Sequence, residues 1–236
     1  MGDPPRREIR SFVRRAGRTT RAQTRAMTEL WPRYGIDLPD PPLDLDRVFG
    51  RHRLRMLEIG FGDGEALAGF AAAHPEMDCL GIEVHEPGVG HLLLALEDRG
   101  IDNVRIICHD AVEVLDRWLP PACLDQVHLF FPDPWPKKRH HKRRIVQPAF
   151  LRKVALALRP GGLLHMATDW APYAEHMAEL TDVCVWFDTD PATGIPDACA
   201  DRPQTKFERR GMRLGHEVRD LLYRRNDTAL SPPADC

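Results

Sequence analysis

The sequence predicts an α/β domain built on a doubly wound, mostly parallel sheet with helices on both faces. Short apolar runs at Leu54–Ile59 and at residues 79–84, 104–108, 127–131 and 163–168 are too short for helices and lie between turn residues. Amphipathic stretches separate them, and each of these ends at a glycine or proline. Strand and helix alternating five times require parallel strands joined by crossover helices. A chain of 236 residues with 43% hydrophobic content is long enough to bury the core that such a sheet needs.

Taken in order, residues 1–42 read as a basic arm and a proline-rich linker. Ile9, Phe12, Val13 and Ala16 fall at roughly helical spacing. Trp31-Pro32 and the prolines at 39, 41 and 42 then stop any helix. Residues 43–228 form the sheet domain. Strand Leu54–Ile59 is followed by helix Glu65–Ala73, which stops at His74-Pro75. Further helices are predicted at 89–99, ending at Gly100, at 111–119, ending at Pro120-Pro121, and at 148–158, ending before Pro160-Gly161-Gly162. Residues 191–203 read as a loop and 229–236 as a frayed tail. No internal repeat is visible.

The net charge of −2 conceals a strong segregation. Residues 6–25, 137–144 and 202–225 hold 22 basic and four acidic residues in 52 positions, leaving 11 basic and 31 acidic in the other 184. Three basic segments on an acidic body suit a protein that meets a polyanion at particular places. No apolar run approaches a membrane span. The six cysteines show no C-x-x-C pair, which argues against a structural zinc site and for a reducing cytoplasm. No secretory signal is predicted. The Arg-rich N-terminus has the composition of a mitochondrial presequence, but arginine outnumbers lysine 28 to 5 over the whole chain, so the enrichment is general.

The chemistry begins where the first strand enters Leu57-Glu58-Ile59-Gly60-Phe61-Gly62-Asp63-Gly64. Glycines at such a turn, here Gly60 and Gly62, let the backbone approach a ligand in the crevice at the carboxyl ends of the strands. Glu83 follows the middle glycine at the separation expected of a carboxylate that grips ribose hydroxyls, and Asp110 follows the third strand. Glu58 lies within an apolar strand and needs a polar ligand or partner. A dinucleotide is one reading, but the third glycine comes a residue early and the acids Glu58, Asp63 and Glu65 would repel a pyrophosphate. S-adenosylmethionine, a sulfonium and ammonium with a ribose, suits that field better.

The fourth strand ends in Phe131-Pro132-Asp133-Pro134-Trp135-Pro136, followed by Lys137-Lys138-Arg139-His140-His141-Lys142-Arg143-Arg144. Asp133 between prolines is held stiffly over the crevice, Trp135 is placed to stack on a base, and the basic run is placed to neutralise phosphates. The alternative is a turn followed by a solvated charged loop. The block Thr205-Lys206-Phe207-Glu208 reads equally well as a base-reading segment or as an exposed helix before an edge strand at 218–223.

These motifs resemble the bacterial tRNA (guanine-N7-)-methyltransferase family over residues 9 to 225. The likeness rests on residues 57–64, 131–144 and 205–208 with Gly211, Leu214 and Gly215, and on the arm at 9–15. The resemblance implies a seven-stranded Rossmann-like S-adenosylmethionine-dependent fold. It also implies methylation of nitrogen-7 of the guanosine at position 46, in the variable loop of tRNA. By motif, Glu58, Glu83, Asp110 and Asp133 match donor-contacting positions, and Asp133 the catalytic one. Lys137, Asp169, Thr205, Lys206, Phe207 and Glu208 match substrate-contacting positions. Arg139, His140, His141, Lys142, Arg143 and Arg144 match the RNA-contacting segment. Pro136 departs from the family pattern. No metal is called for, the partner is tRNA rather than a membrane, and the chain is expected to be a monomer or homodimer. The competing functions are transfer to an exocyclic amine, a dehydrogenase and a non-catalytic RNA-binding module.

Overall fold

The computed structural model describes residues 11–12, 19–189 and 217–230. Thr205 to Glu208, the loop assigned to 191–203 and the tail from 231 lie outside the described residues. The element order is α1 (Arg21–Glu29), α2 (Trp31–Tyr34), α3 (Leu45–Phe49), β1 (Leu54–Ile59), α4 (Glu65–Ala73), β2 (Met77–Ile82), α5 (Glu86–Asp98), β3 (Val104–Ile107), α6 (Ala111–Arg117) and β4 (Leu124–Phe130). A 3-10 turn (Lys138–Arg143) leads to α7 (Pro148–Ala157), β5 (Leu158–Thr168), α8 (Ala171–Asp182), β6 (Phe187–Thr189) and β7 (Arg219–Arg225).

The strands form one sheet in the order β3-β2-β1-β4-β5-β7-β6. β1 to β5 pair in parallel, and β7 runs antiparallel to both β5 and β6. Side-chain alternation along each strand divides the core in two. Leu57 and Ile59 of β1, with Leu80 and Ile82 of β2, meet α3, α6, α7 and α8 on one face. Met56 and Cys79 meet α1, α2, α4 and α5 on the other. The predicted doubly wound sheet is therefore present, with β1 in its interior between β2 and β4.

The structure departs from the sequence reading in the N-terminal region. Residues 21–34 are helical and pack on the domain. Thr20 caps α1 with a reciprocal box, its hydroxyl accepting from the Gln23 N–H while the Gln23 side chain accepts from the Thr20 N–H at 2.8 Å. The Gln23 amide donates to the Pro87 carbonyl at 3.0 Å, which fastens α1 to α5. Trp31-Pro32 opens a helical turn instead of closing one, because a proline in the first turn lacks only an N–H that has no intrahelical partner. Tyr34, at its end, is fully buried. At the far side, β5 begins at Leu158, five residues before the predicted run, because Leu158 already pairs with Leu124.

Candidate active site

All three glycines of the turn after β1 have positive φ, 71° at Gly60, 62° at Gly62 and 79° at Gly64, a region that other residues enter only at a cost. The turn is clamped from β2. The Glu83 carboxylate accepts from the N–H groups of Val84 at 2.7 Å and His85 at 3.0 Å through one oxygen, and from Gly62 at 2.9 Å through the other. Asp110 caps α6, accepting from the Val112 N–H at 2.9 Å. Each carboxylate keeps lone pairs free of these bonds, so each can still accept from a ligand hydroxyl.

These groups border a cleft of about 590 Å³ at the carboxyl ends of β1, β2, β3 and β4. Gly60, Glu83, Asp110 and Asp133 line it, with Ile59, Ile82, Leu129 and Phe130 as apolar wall. Among the described residues, its lining contains three carboxylates and no lysine or arginine. Glu58 is not part of that lining. It is 3% exposed, and alternation along β1 turns its side chain toward the α4 face, opposite Ile59.

Asp133 is exposed and makes no side-chain hydrogen bond among the described residues. Its turn is strained at both ends, with φ at 50° for Phe131 and 43° for Trp135. Each such residue costs about 1–3 kcal/mol and persists only where its surroundings enforce it. The enforcing contacts are present. The Phe131 N–H donates to Ala167 of β5 at 2.8 Å. Arg144, 3% exposed, donates to the Pro134 carbonyl at 2.9 Å and sits 4.8 Å from the centroid of the Tyr173 ring. The Trp135 indole is itself engaged, donating to the Ser11 carbonyl at 3.2 Å with the Arg143 guanidinium 5.0 Å from its ring centroid. It props the turn, where the sequence suggested a free stacking platform.

A second cleft of about 750 Å³ adjoins the first and shares Ser11, Asp110 and Ile145 with it. Lys142, Arg143, Arg144 and Lys153 border it. Lys137, just before the 3-10 turn, and Arg139, within it, are exposed, whereas His140 and His141 are half-buried. Desolvation, then the cations Arg139, Arg143, Lys137 and Lys142, hold the His140 imidazole below its ordinary pKa and favour its neutral form. Asp169 follows the last residue of β5, at the same edge of the sheet.

Several residues of this region were not picked out by sequence. His109 lines the donor-side cleft, its ring 5.6 Å from that of Trp118 and its Nδ1 3.6 Å from Glu113. Its position immediately before Asp110 was the available signal. Ser11 and Phe12 reach the cleft from the arm, and Lys153, ion-paired with Asp116, enters the basic cleft from α7. Nothing in the sequence ties Lys153 to the basic run nine residues earlier.

Residues 52–221 match the family model described as a putative methyltransferase. The chain is 56% identical over 224 residues to the tRNA (guanine-N(7)-)-methyltransferase of Alkalilimnicola ehrlichii, with 94% of each chain covered. It is also 56% identical to the enzyme of that name from Halorhodospira halophila, over 94% of this chain and 98% of the relative. The chain belongs to the tRNA (guanine-N(7)-)-methyltransferase family. Solved structures add the fold alone. The antibiotic-resistance methyltransferase Kmr superposes with a TM-score of 0.54 at 17% identity, covering 82% of this chain and 96% of its own. For this tRNA (guanine-N(7)-)-methyltransferase family member, no helix among the described residues is long and apolar enough to cross a membrane.

Proposed function

We propose that this chain transfers the methyl group of S-adenosylmethionine to nitrogen-7 of a guanosine in tRNA, at position 46 of the variable loop, in the cytoplasm. The observation that carries this reading is the pairing of two adjoining clefts: among the described residues, one is lined by three carboxylates without a lysine or arginine, and the other is bordered by four cationic side chains and two carboxylates, Asp110 and Glu113. The first suits a cationic sulfonium and disfavours a pyrophosphate; the second suits a phosphate backbone. The position within the tRNA follows from the resemblance of the sequence motifs.

The bound donor supplies an electrophilic methyl on sulfur. Gly60 and Gly62 bring the backbone close to it, and Glu83 and Asp110 offer their remaining lone pairs to its ribose and base. Guanine nitrogen-7 has a lone pair and no proton, so no general base is needed. The chain must align that lone pair with the methyl and accept the positive charge that develops on the purine. Asp133 does the second, because it is an exposed carboxylate on a braced turn lining the donor cleft, with no side-chain hydrogen bond among the described residues. Lys137 and Asp169 hold the base edge and its phosphate together with Thr205, Lys206, Phe207 and Glu208. Arg139, His140, His141, Lys142 and Arg143 face the RNA, while Arg144 keeps the turn in shape.

Incubation of the protein with unmodified tRNA and labelled donor should yield 7-methylguanosine, detected by nucleoside analysis and by aniline cleavage after reduction. Asp133→Ala should lower turnover at least a hundredfold, the size of a lost electrostatic contact, with tRNA affinity held within about threefold. Methylation at an exocyclic amine, or an active Asp133→Ala protein, would refute the assignment.

A further inference from the structure

The sheet face that carries α4 holds a row of buried polar side chains that the reaction above does not use. Glu58, His128 and His165 occupy registered positions on β1, β4 and β5 and are 3%, 3% and 1% exposed. Asp220 of β7, paired in register with Ala167, stands diagonally beyond His165. His165 Nε2 lies 2.7 Å from Asp220 Oδ1. An ionised carboxylate only accepts, so Nε2 carries the proton and the imidazole orientation is fixed. On its other side the ring meets Phe130 edge-on, 4.9 Å between centroids at 79°, and His128 at 5.6 Å.

Phe130 is the last residue of β4 and part of the donor cleft wall. The next residue, Phe131, is the first strained residue of the turn that carries Asp133. Trp135 and Arg144 brace the far end of that turn. At the near end the Phe131 N–H donates to the Ala167 carbonyl, and the Phe130 ring packs against His128 at 5.0 Å and edge-on against His165 at 4.9 Å.

We propose that His165, oriented by Asp220, is a positioning residue for methyl transfer: it fixes the Phe130 ring and thereby the exit of β4 toward Asp133. The proposal rests on the tRNA methyltransferase reading. An error of about 1 Å in a reacting group can cost up to about a hundredfold in rate, so a partial loosening of this support should cost about tenfold.

The test compares His165→Leu, His165→Gln and Asp220→Ala in single-turnover methylation of tRNA at saturating donor, with tRNA affinity from filter binding and folding from circular dichroism. His165→Leu should slow the step about tenfold with tRNA affinity kept within about twofold, and His165→Gln, whose amide N–H can reach Asp220, should recover to within about threefold of the parent. A folded His165→Leu protein at the parent rate overturns the proposal, and so does an equal loss in the Leu and Gln proteins. Should His165→Leu fail to fold, Asp220→Ala decides, since that side chain is 27% exposed and alanine removes the acceptor that orients His165. A slower step at unchanged tRNA affinity supports the role, and an unchanged rate overturns it. If the parent protein itself forms no 7-methylguanosine, the functional reading fails, a result separable from a parent that is active and a His165 variant that equals it.

Discussion

At the scale of the residue, Glu83 carries a structural task beside the donor-binding one proposed for it. Its carboxylate gathers three backbone N–H groups from two segments, β2's exit and the glycine turn. Position 83 was legible from its distance to Gly62, but its second task was not, because the N–H groups it binds converge only after β1 and β2 pair. Glu83→Gln keeps the shape and replaces one acceptor oxygen by a donor. Whichever way the amide turns, a backbone N–H then faces an N–H. The expected cost is about 1–3 kcal/mol of stability, together with a fall of at least about tenfold in affinity for S-adenosylhomocysteine. Calorimetric titration and thermal unfolding read the two effects; a variant that binds as tightly as the parent would show that Glu83 serves the turn alone.

At the scale of the element, legibility follows punctuation. β1 and α4 have the boundaries that the sequence predicts, because the glycine turn and His74-Pro75 bound them on both sides. α5 starts at Glu86, three residues before the predicted stretch, since Pro87 in the first turn is a start signal that the apolar spacing alone does not carry. α1 was legible in principle from Thr20-Arg21-Ala22-Gln23, a capping box hidden inside a charge run. The three residues of β6 are too few for any period to show. In the site, Asp133 and the glycines were readable from local sequence, whereas His109, Lys153 and the engaged state of Trp135 depend on contacts across the fold. One such contact is the approach of α5 to the glycine turn. A Cβ at Gly88 would lie 2.0 Å from the Gly62 carbonyl oxygen, which is backbone and cannot swing aside. Gly88→Ala should therefore push α5 away from the turn and destabilise the protein by about 1–3 kcal/mol, the usual cost of overpacking. It should also abolish the thermal shift that S-adenosylhomocysteine gives the parent. A full ligand-induced shift in the variant would mean that the turn adapts without loss.

At the scale of the whole molecule, the packing of the core predicts how the protein responds to alkali. The chain has three tyrosines, and each ties separate elements together. The Tyr34 hydroxyl donates to Glu97 at 3.2 Å, joining α2 to α5. The Tyr173 hydroxyl accepts from the Val146 N–H, joining α8 to the segment after the basic turn. The Tyr223 hydroxyl donates to Asp182 at 2.8 Å, joining β7 to α8. Burial raises the pKa of all three phenols, and carboxylate neighbours add to the rise at Tyr34 and Tyr223. Burial likewise raises the Cys79 thiol, and pushes that of Cys123 up to about 12. A group whose pKa is higher folded than unfolded contributes stability that is complete below the unfolded value and is lost as pH rises above it. Stability should hold up to about pH 8.5, where free thiols ionise, and fall steeply beyond about pH 10, where free tyrosine ionises. The measurement is a pH titration that follows tyrosinate absorbance and far-ultraviolet circular dichroism in the same samples. The two signals should change together in one transition, because each phenol ionises only when the elements it joins come apart. Tyrosinate absorbance that develops at the ordinary pKa, with the dichroism still native, would show that these hydroxyls are open to solvent in the folded protein.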